Sequence, residues 1–195
     1  MNKIFQVSLA LNPLLQEKFR SLQNLFIQAC IEVASAATKS HTWNRVALHH
    51  LTYKILREKF PLLGAQMACN AIFTVSKISR ETCDWKNSQL TDTTNEKSHF
   101  QKVIFDEKMP VIFDKHTLSL KGSVLSLFTL EGRAKVKIDV NPELEEYLRE
   151  KKLLELMLKI DINKFTLLFI FREDLNECID IKEATFKEST KIIDK

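Results

Sequence analysis

The sequence predicts an α+β fold: an antiparallel β-barrel of about seven strands, with a three-helix insertion after the first strand. Two observations lead there. Between Pro13 and Arg80 apolar residues recur at three or four positions, the period of helices that each bury one face. Beyond Val103 the period shortens toward two, in short runs broken by Pro110, Gly122 and Gly132, as strands joined by turns require.

The first strand spans Lys3 to Ala10, where apolar and polar residues partly alternate, and Asn12-Pro13 ends it. A first helix from Pro13 to about Thr38 places Leu15, Phe19, Leu22, Phe26, Ala29 and Val33 on one face, with Pro suited to its first turn. A second helix runs from about Trp43 to Phe60, with Ser40 or Thr42 able to cap its amides and Pro61 to stop it. A third, Leu62 to Arg80, sets Leu63, Met67, Ala71, Val75 and Ile78 on one face and Gln66, Asn70 and Lys77 on another. Residues 82–98 are polar and without period, as expected of a mobile surface loop.

Strands are expected at Val103 to Phe105, Val111 to Phe113, Thr117 to Leu120, Val124 to Phe128 and Arg133 to Val140. In the last, Ala134, Val136, Ile138 and Val140 alternate with Arg133, Lys135, Lys137 and Asp139, so one face is buried and the other largely basic. Pro142 to Lys151 reads as a short helix with acids near its start and bases toward its end, which complements its dipole. Leu153 to Ile160 and Lys164 to Phe171 read as strands, the second so apolar that both faces need cover. The domain organisation that follows is a barrel from 1–11 and 99–175, a helical insertion over 12–81, the loop 82–98 and a tail 176–195.

Composition narrows the function classes. A chain of 195 residues buries a sizeable core, and 45% hydrophobic with 28% charged residues is ordinary for a globular protein rather than a disordered one. The longest apolar runs, such as Phe165 to Phe171, fall far short of the roughly 20 residues that cross a bilayer. No membrane partner is expected, and without a run of signal-peptide length at the N-terminus the expected location is the cytoplasm. Cys30, Cys69, Cys83 and Cys178 form no C-x-x-C pair and have no histidine at zinc-finger spacing, so they read as reduced, mostly buried thiols. Glycines at 64, 122 and 132 alone write neither a Walker loop nor a dinucleotide fingerprint. His41, His99 and His116 stand apart from any nucleophile or ligand set, so neither a cofactor nor a metal is expected.

Charge is informative in its distribution. The net charge is +4 and the isoelectric point about 8.8, yet Lys39 to Arg80 holds seven Lys or Arg against the single acid Glu58. Within that segment Arg45, His49, Tyr53 and Arg57 lie four apart on one helix face, with Lys54 and His50 alongside. Cations there would displace counterions from a phosphate backbone, and Tyr53 would stack on a base or bond to a sugar. The bland alternative is a solvated face opposite core-facing Leu48, Leu51, Ile55 and Leu56. Gln66 and Asn70, one turn apart, are amides of the kind that read adenine edges, or else plain surface residues. Lys121, Arg133, Lys135 and Lys137 form a second basic set on the strands, with Arg133 after Gly132 the favoured contact. Strand lysines that discourage edge pairing are the common alternative.

Two stretches carry a family resemblance. Leu51-Thr-Tyr-Lys-Ile-Leu-Arg-Glu-Lys-Phe-Pro-Leu-Leu63, with Ala68 to Val75 beyond, resembles the Tyr-x-x-x-Arg segment and following helix of TnpB, the transposon-encoded ancestor of type V CRISPR effectors. Thr117-Leu-Ser-Leu120 and Thr129-Leu-Glu-Gly-Arg-Ala-Lys-Val-Lys-Ile138 resemble that family's strand pair around a Gly-Arg-x-Lys element. The resemblance covers roughly residues 1–175 and implies a wedge-like barrel with a REC-like helical insert, which together hold guide RNA and target DNA. In the family, cutting belongs to a downstream RuvC-like fold whose three acids hold two metals. Cys178-Ile-Asp-Ile-Lys182 stands about where the first acid falls, but Cys178 and Lys182 replace the flanking glycines, and the residues after Asp180 are too few to place the other two acids. The resemblance therefore implies guide-type RNA and target DNA as partners, no catalytic residue in this chain, and a separate RuvC-like nuclease chain if cutting occurs. Two alternatives remain: an interaction subunit that needs a partner to complete its fold, and an inactive truncated transposase remnant.

Overall fold

The computed structural model describes residues 2–89, 103–162, 164–172 and 190–192, with the backbone alone at 83–89 and 190–192. The order of elements is β1 (Asn2–Leu9), α1 (Pro13–Ser40), α2 (Arg45–Lys59), a 3-10 turn (Pro61–Leu63), α3 (Ala65–Gln89), β2 (Val103–Phe105), β3 (Val111–Phe113), β4 (Leu118–Lys121), β5 (Val124–Thr129), β6 (Gly132–Lys137), α4 (Pro142–Glu150), β7 (Leu153–Ile160), β8 (Phe165–Arg172) and β9 (Thr190–Ile192).

The expected α+β class holds, with antiparallel strands throughout the described pairings. The closed barrel does not. The described strands form three separate sheets, in the orders β1-β8-β7-β3, β4-β5-β6 and β2-β9. Two-residue turns explain the middle sheet: Lys121 pairs with Val124 and Thr129 with Gly132, so β4, β5 and β6 fold into a self-contained meander. Gly122 opens the first of these turns at a φ of +57°, which the right-handed twist of the flanking strands favours.

Nor do the three helices stand as a separate insertion after the first strand. They follow β1 in sequence, but α1 packs on β2, β3 and β5, and α3 packs on β3. Phe19, Leu22 and Phe26 of α1 belong to the same buried cluster as Leu125, Leu127 and Phe113 of the strands. The reason is local: β4–β6 bury Leu125, Leu127, Ala134 and Val136 on one face only, and that face needs a helix to cover it.

Helix boundaries follow asparagine caps. Asn12 accepts from Leu15 N and Asn141 from Leu144 N, each just before a proline in the first turn. Asn44, rather than Ser40 or Thr42, caps α2, accepting from Val46 N and Ala47 N, while Thr42 Oγ1 receives the Asn44 amide. α3 continues to Gln89, into the segment expected to be a loop; 90–98 lie outside the described residues, as do 176–189 and Asp180 of the expected tail.

β8 is buried from Phe165 to Phe171 because β1 and β7 flank its edges and side chains cover both faces. Phe5 sits opposite Phe169, and Tyr147 of α4 packs its ring edge-on against Phe5 and Phe171. Helices and strands meet closely at Gly64, where φ is +74° and a Cβ would lie 3.3 Å from the Phe128 ring. Gly64→Ala is expected to destabilise the protein by about 1–3 kcal/mol, through strained backbone and that contact together, as measured by urea unfolding.

Candidate nucleic-acid interface

The site begins where the chain enters α2. Ser76 Oγ of α3 donates to the Trp43 carbonyl at 2.6 Å, which pins the start of α2 against α3. From there Leu48, Thr52 and Leu56 point into the core, and the helical period turns His49, Tyr53 and Arg57 toward the α3 side. Leu51 and Ile55, expected in the core, are instead 47% and 44% exposed, because the buried line runs through Thr52, whose hydroxyl bonds back to Leu48 O.

The four-apart stripe is therefore real and partly ordered. Arg45 is exposed, with its guanidinium carbon 5.5 Å from the centre of the Phe73 ring of α3. His49 and Tyr53 stack, their centroids 4.7 Å apart and their planes 13° from parallel. His49 Nε2 lies 3.9 Å from Cys69 Sγ, and His50 meets His49 edge-on. Lys54 is exposed and 3.9 Å from Glu58, a loose surface pair. Arg57 is half-buried, and its Nη1 is fully enclosed with no hydrogen-bond partner. Burial pushes the Cys69 thiol above its usual range, while Arg45 opposes the rise, Asp114 adds to it and Arg57 again opposes it, so all three charges act on the pocket around this sulfur.

Gln66 and Asn70 are committed elsewhere. Gln66 Nε2 donates to Asp114 Oδ2 at 2.6 Å, and Asn70, only 6% exposed, donates to the Ile112 carbonyl at 3.2 Å. Asp114 Oδ1 in turn accepts from His116 N, Thr117 N and Thr117 Oγ1, which closes the turn into β4. These amides thus fasten α3 to the strands. Arg133 is similarly engaged: it donates to Ser126 Oγ at 3.0 Å, Ser126 O at 3.1 Å and the His116 carbonyl at 3.4 Å, lacing β4–β6 across their outward face. Lys121 and Lys135 stay exposed on that face, with Lys137 beside Lys121 across Val124.

The structure thus gathers Arg45, His49, Tyr53 and Arg57 into one surface and sets Gln66, Asn70 and Arg133 around the Asp114–Thr117 turn. Residues that sequence reasoning missed complete the first group: Trp43, Phe73 and Arg80, with Arg80 placed 5.2 Å over the Trp43 ring. The contact joins α3 to the connection just before α2, so no single helical period reveals it. A concavity of about 670 Å³ lies between α1 and the β7–β8 turn, lined by Arg20, Gln23, Asn24, Lys108, Asp161 and Lys164 among others. Its charges are mixed, and Arg20 is bound to the carbonyls of Asp161 and Ile162. Among the described residues no three of His, Cys, Asp or Glu gather as a metal-ligand set, and no helix is long and apolar enough to cross a membrane.

Asp114→Ala removes the acceptor shared by Gln66 and the Thr117 turn. It is expected to cost about 2–3 kcal/mol in chemical denaturation, and Gln66→Leu less, because the turn bonds survive. Neither a known protein-family model nor a curated protein matches this sequence.

Proposed function

We propose that the chain is a nucleic-acid-binding recognition module, which holds guide-type RNA and target DNA as the front half of TnpB-like effectors does, and that it binds without cutting. Cleavage in this reading falls to a separate chain with RuvC-like acids. The contact surface is the face of α2 that carries Arg45, His49, Tyr53 and Arg57, with Lys54 at its rim and Lys121 and Lys135 as outlying phosphate contacts. Gln66 and Asn70 fasten α3 to the strands through Asp114 and the Ile112 carbonyl, and Arg133 lies with Lys121 and Lys135 on the outward face of β4–β6.

The observation that carries the reading is Arg57. A guanidinium nitrogen enclosed without a partner costs stability, because water has been removed from it and nothing replaces the lost bonds. Its place is a stripe that also holds Arg45 and a stacked His49–Tyr53 pair. A phosphate oxygen at this surface supplies what Arg57 lacks once the guanidinium turns outward, and the charge-assisted bond is among the strong ones. Backbone phosphates spaced along a strand match cations spaced along a helix, whereas a compact anion would engage only one of them.

Binding is therefore expected to be steeply salt-dependent, with affinity for RNA falling as salt rises and the triple variant Arg45→Gln, Tyr53→Leu, Arg57→Gln losing about tenfold or more in fluorescence anisotropy. Arg57→Met separates the two roles of this side chain. It should raise Tm by about 2–4 °C, since the unpaired group is gone, while weakening RNA binding. A triple variant that binds as tightly as the parent, or no RNA binding at low salt, would sink the reading.

A further inference from the structure

We infer that the binding face extends onto α3 through Trp43, Phe73 and Arg80, and that this face takes an unpaired stretch of RNA, outside the segment in which guide and target pair, rather than a duplex. The inference rests on the nucleic-acid reading above and names the form of the ligand. Two cation–ring contacts cross between the helices in opposite directions: Arg45 of α2 lies over Phe73 of α3, and Arg80 of α3 lies over Trp43 at the start of α2. The Ser76–Trp43 bond holds the two pairs beside each other, because Ser76 lies between Phe73 and Arg80 on α3. The stacked His49 and Tyr53 continue the same row along α2.

Rings and guanidinium groups therefore alternate over one two-helix surface. A duplex offers such a surface only its phosphates, since the flat faces of its bases are already stacked on each other. For a duplex, evenly spaced lysines and arginines would do as well, and the half-exposed rings would add nothing. An unpaired strand presents both phosphates and free base faces, and bases stack on aromatic rings and on guanidinium planes alike. An arginine already seated over a ring is held in place before the strand arrives, so less freedom is lost on binding. Arg45 and Arg80 are both exposed, whereas Trp43 and Phe73 are half-buried, which leaves ring surface in reach without opening the core.

The test compares a labelled oligouridine RNA of about 20 nucleotides with a blunt RNA duplex of the same length, at one salt concentration, by fluorescence anisotropy. The strand is expected to bind at least about tenfold tighter than the duplex. Trp43→Leu with Arg80→Gln should lose about fivefold or more for the strand and little for the duplex. Arg80→Gln alone, an exposed substitution, serves if the double variant does not fold by circular dichroism, and should show the same preference in smaller measure. Equal or tighter duplex binding, or variants that keep the strand affinity of the parent, overturns the inference and leaves the broader reading intact. Failure to bind either ligand overturns both.

Discussion

The structure depends most on β8. Its apolar run from Phe165 to Phe171 pairs with β1 on one side and β7 on the other, which joins the beginning of the chain to its later part. Every element between is thereby held in a loop whose ends meet in one sheet. Such long-range pairing is costly in chain entropy, and it is offset by burial: Phe165, Leu167, Phe169 and Phe171 are all at most 2% exposed. With that sheet in place, α1 has a surface to cross, and the helical hairpin of α2 and α3 has a position.

Orientation of α3 is set by a smaller device. Lys77 pairs with Glu155 of β7 at 3.0 Å, and Gln66 and Asn70 bind Asp114 and the Ile112 carbonyl. Three polar side chains at positions 66, 70 and 77 thus tie one face of the helix to the strands. Phe73 and Arg80 lie a small step round the helix from these residues, on the adjoining edge, and meet the start of α2. The polar bonds have direction where apolar packing has none, so they determine which residues of α3 reach the surface.

Much of this was legible in the sequence, and the failures have physical causes. The strands between Val103 and Phe171 and the helices between Pro13 and Arg80 follow from period and from Pro and Gly punctuation, which are local properties. Closure into a barrel is a property of which strands meet, and the period does not encode it; tight turns at Gly122 and Gly132 made β4–β6 a separate meander instead. The stripe of Arg45, His49, Tyr53 and Arg57 was legible because it lies on one helix. Trp43 with Arg80 was not, since its partners lie far apart in the chain. Gln66, Asn70 and Arg133 were legible as polar groups, but the bonds they make within the fold were not, because an amide bound to a carbonyl and one facing solvent look alike in sequence.

Among the described residues, some polar groups are satisfied within the fold and one enclosed nitrogen is not. Arg133 spends its donors on Ser126 and His116, and Asn70 is buried with a carbonyl partner; both contribute to the fold at rest. Arg57 has an enclosed nitrogen with no such return, in a layer where a carboxylate, Asp114, is near enough to act on the same thiol yet is occupied by Gln66 and the turn. A fold under selection for stability alone has an easy remedy: an apolar residue of similar length at position 57 would pack the same space without the penalty. A cation at position 57 is intelligible if its partner arrives from outside, as the proposed function requires. On the nucleic-acid reading proposed above, a strand that satisfied Arg57 would also meet Arg45 and Arg80 seated on rings, so the unsatisfied group and the preorganised ones would act on one ligand.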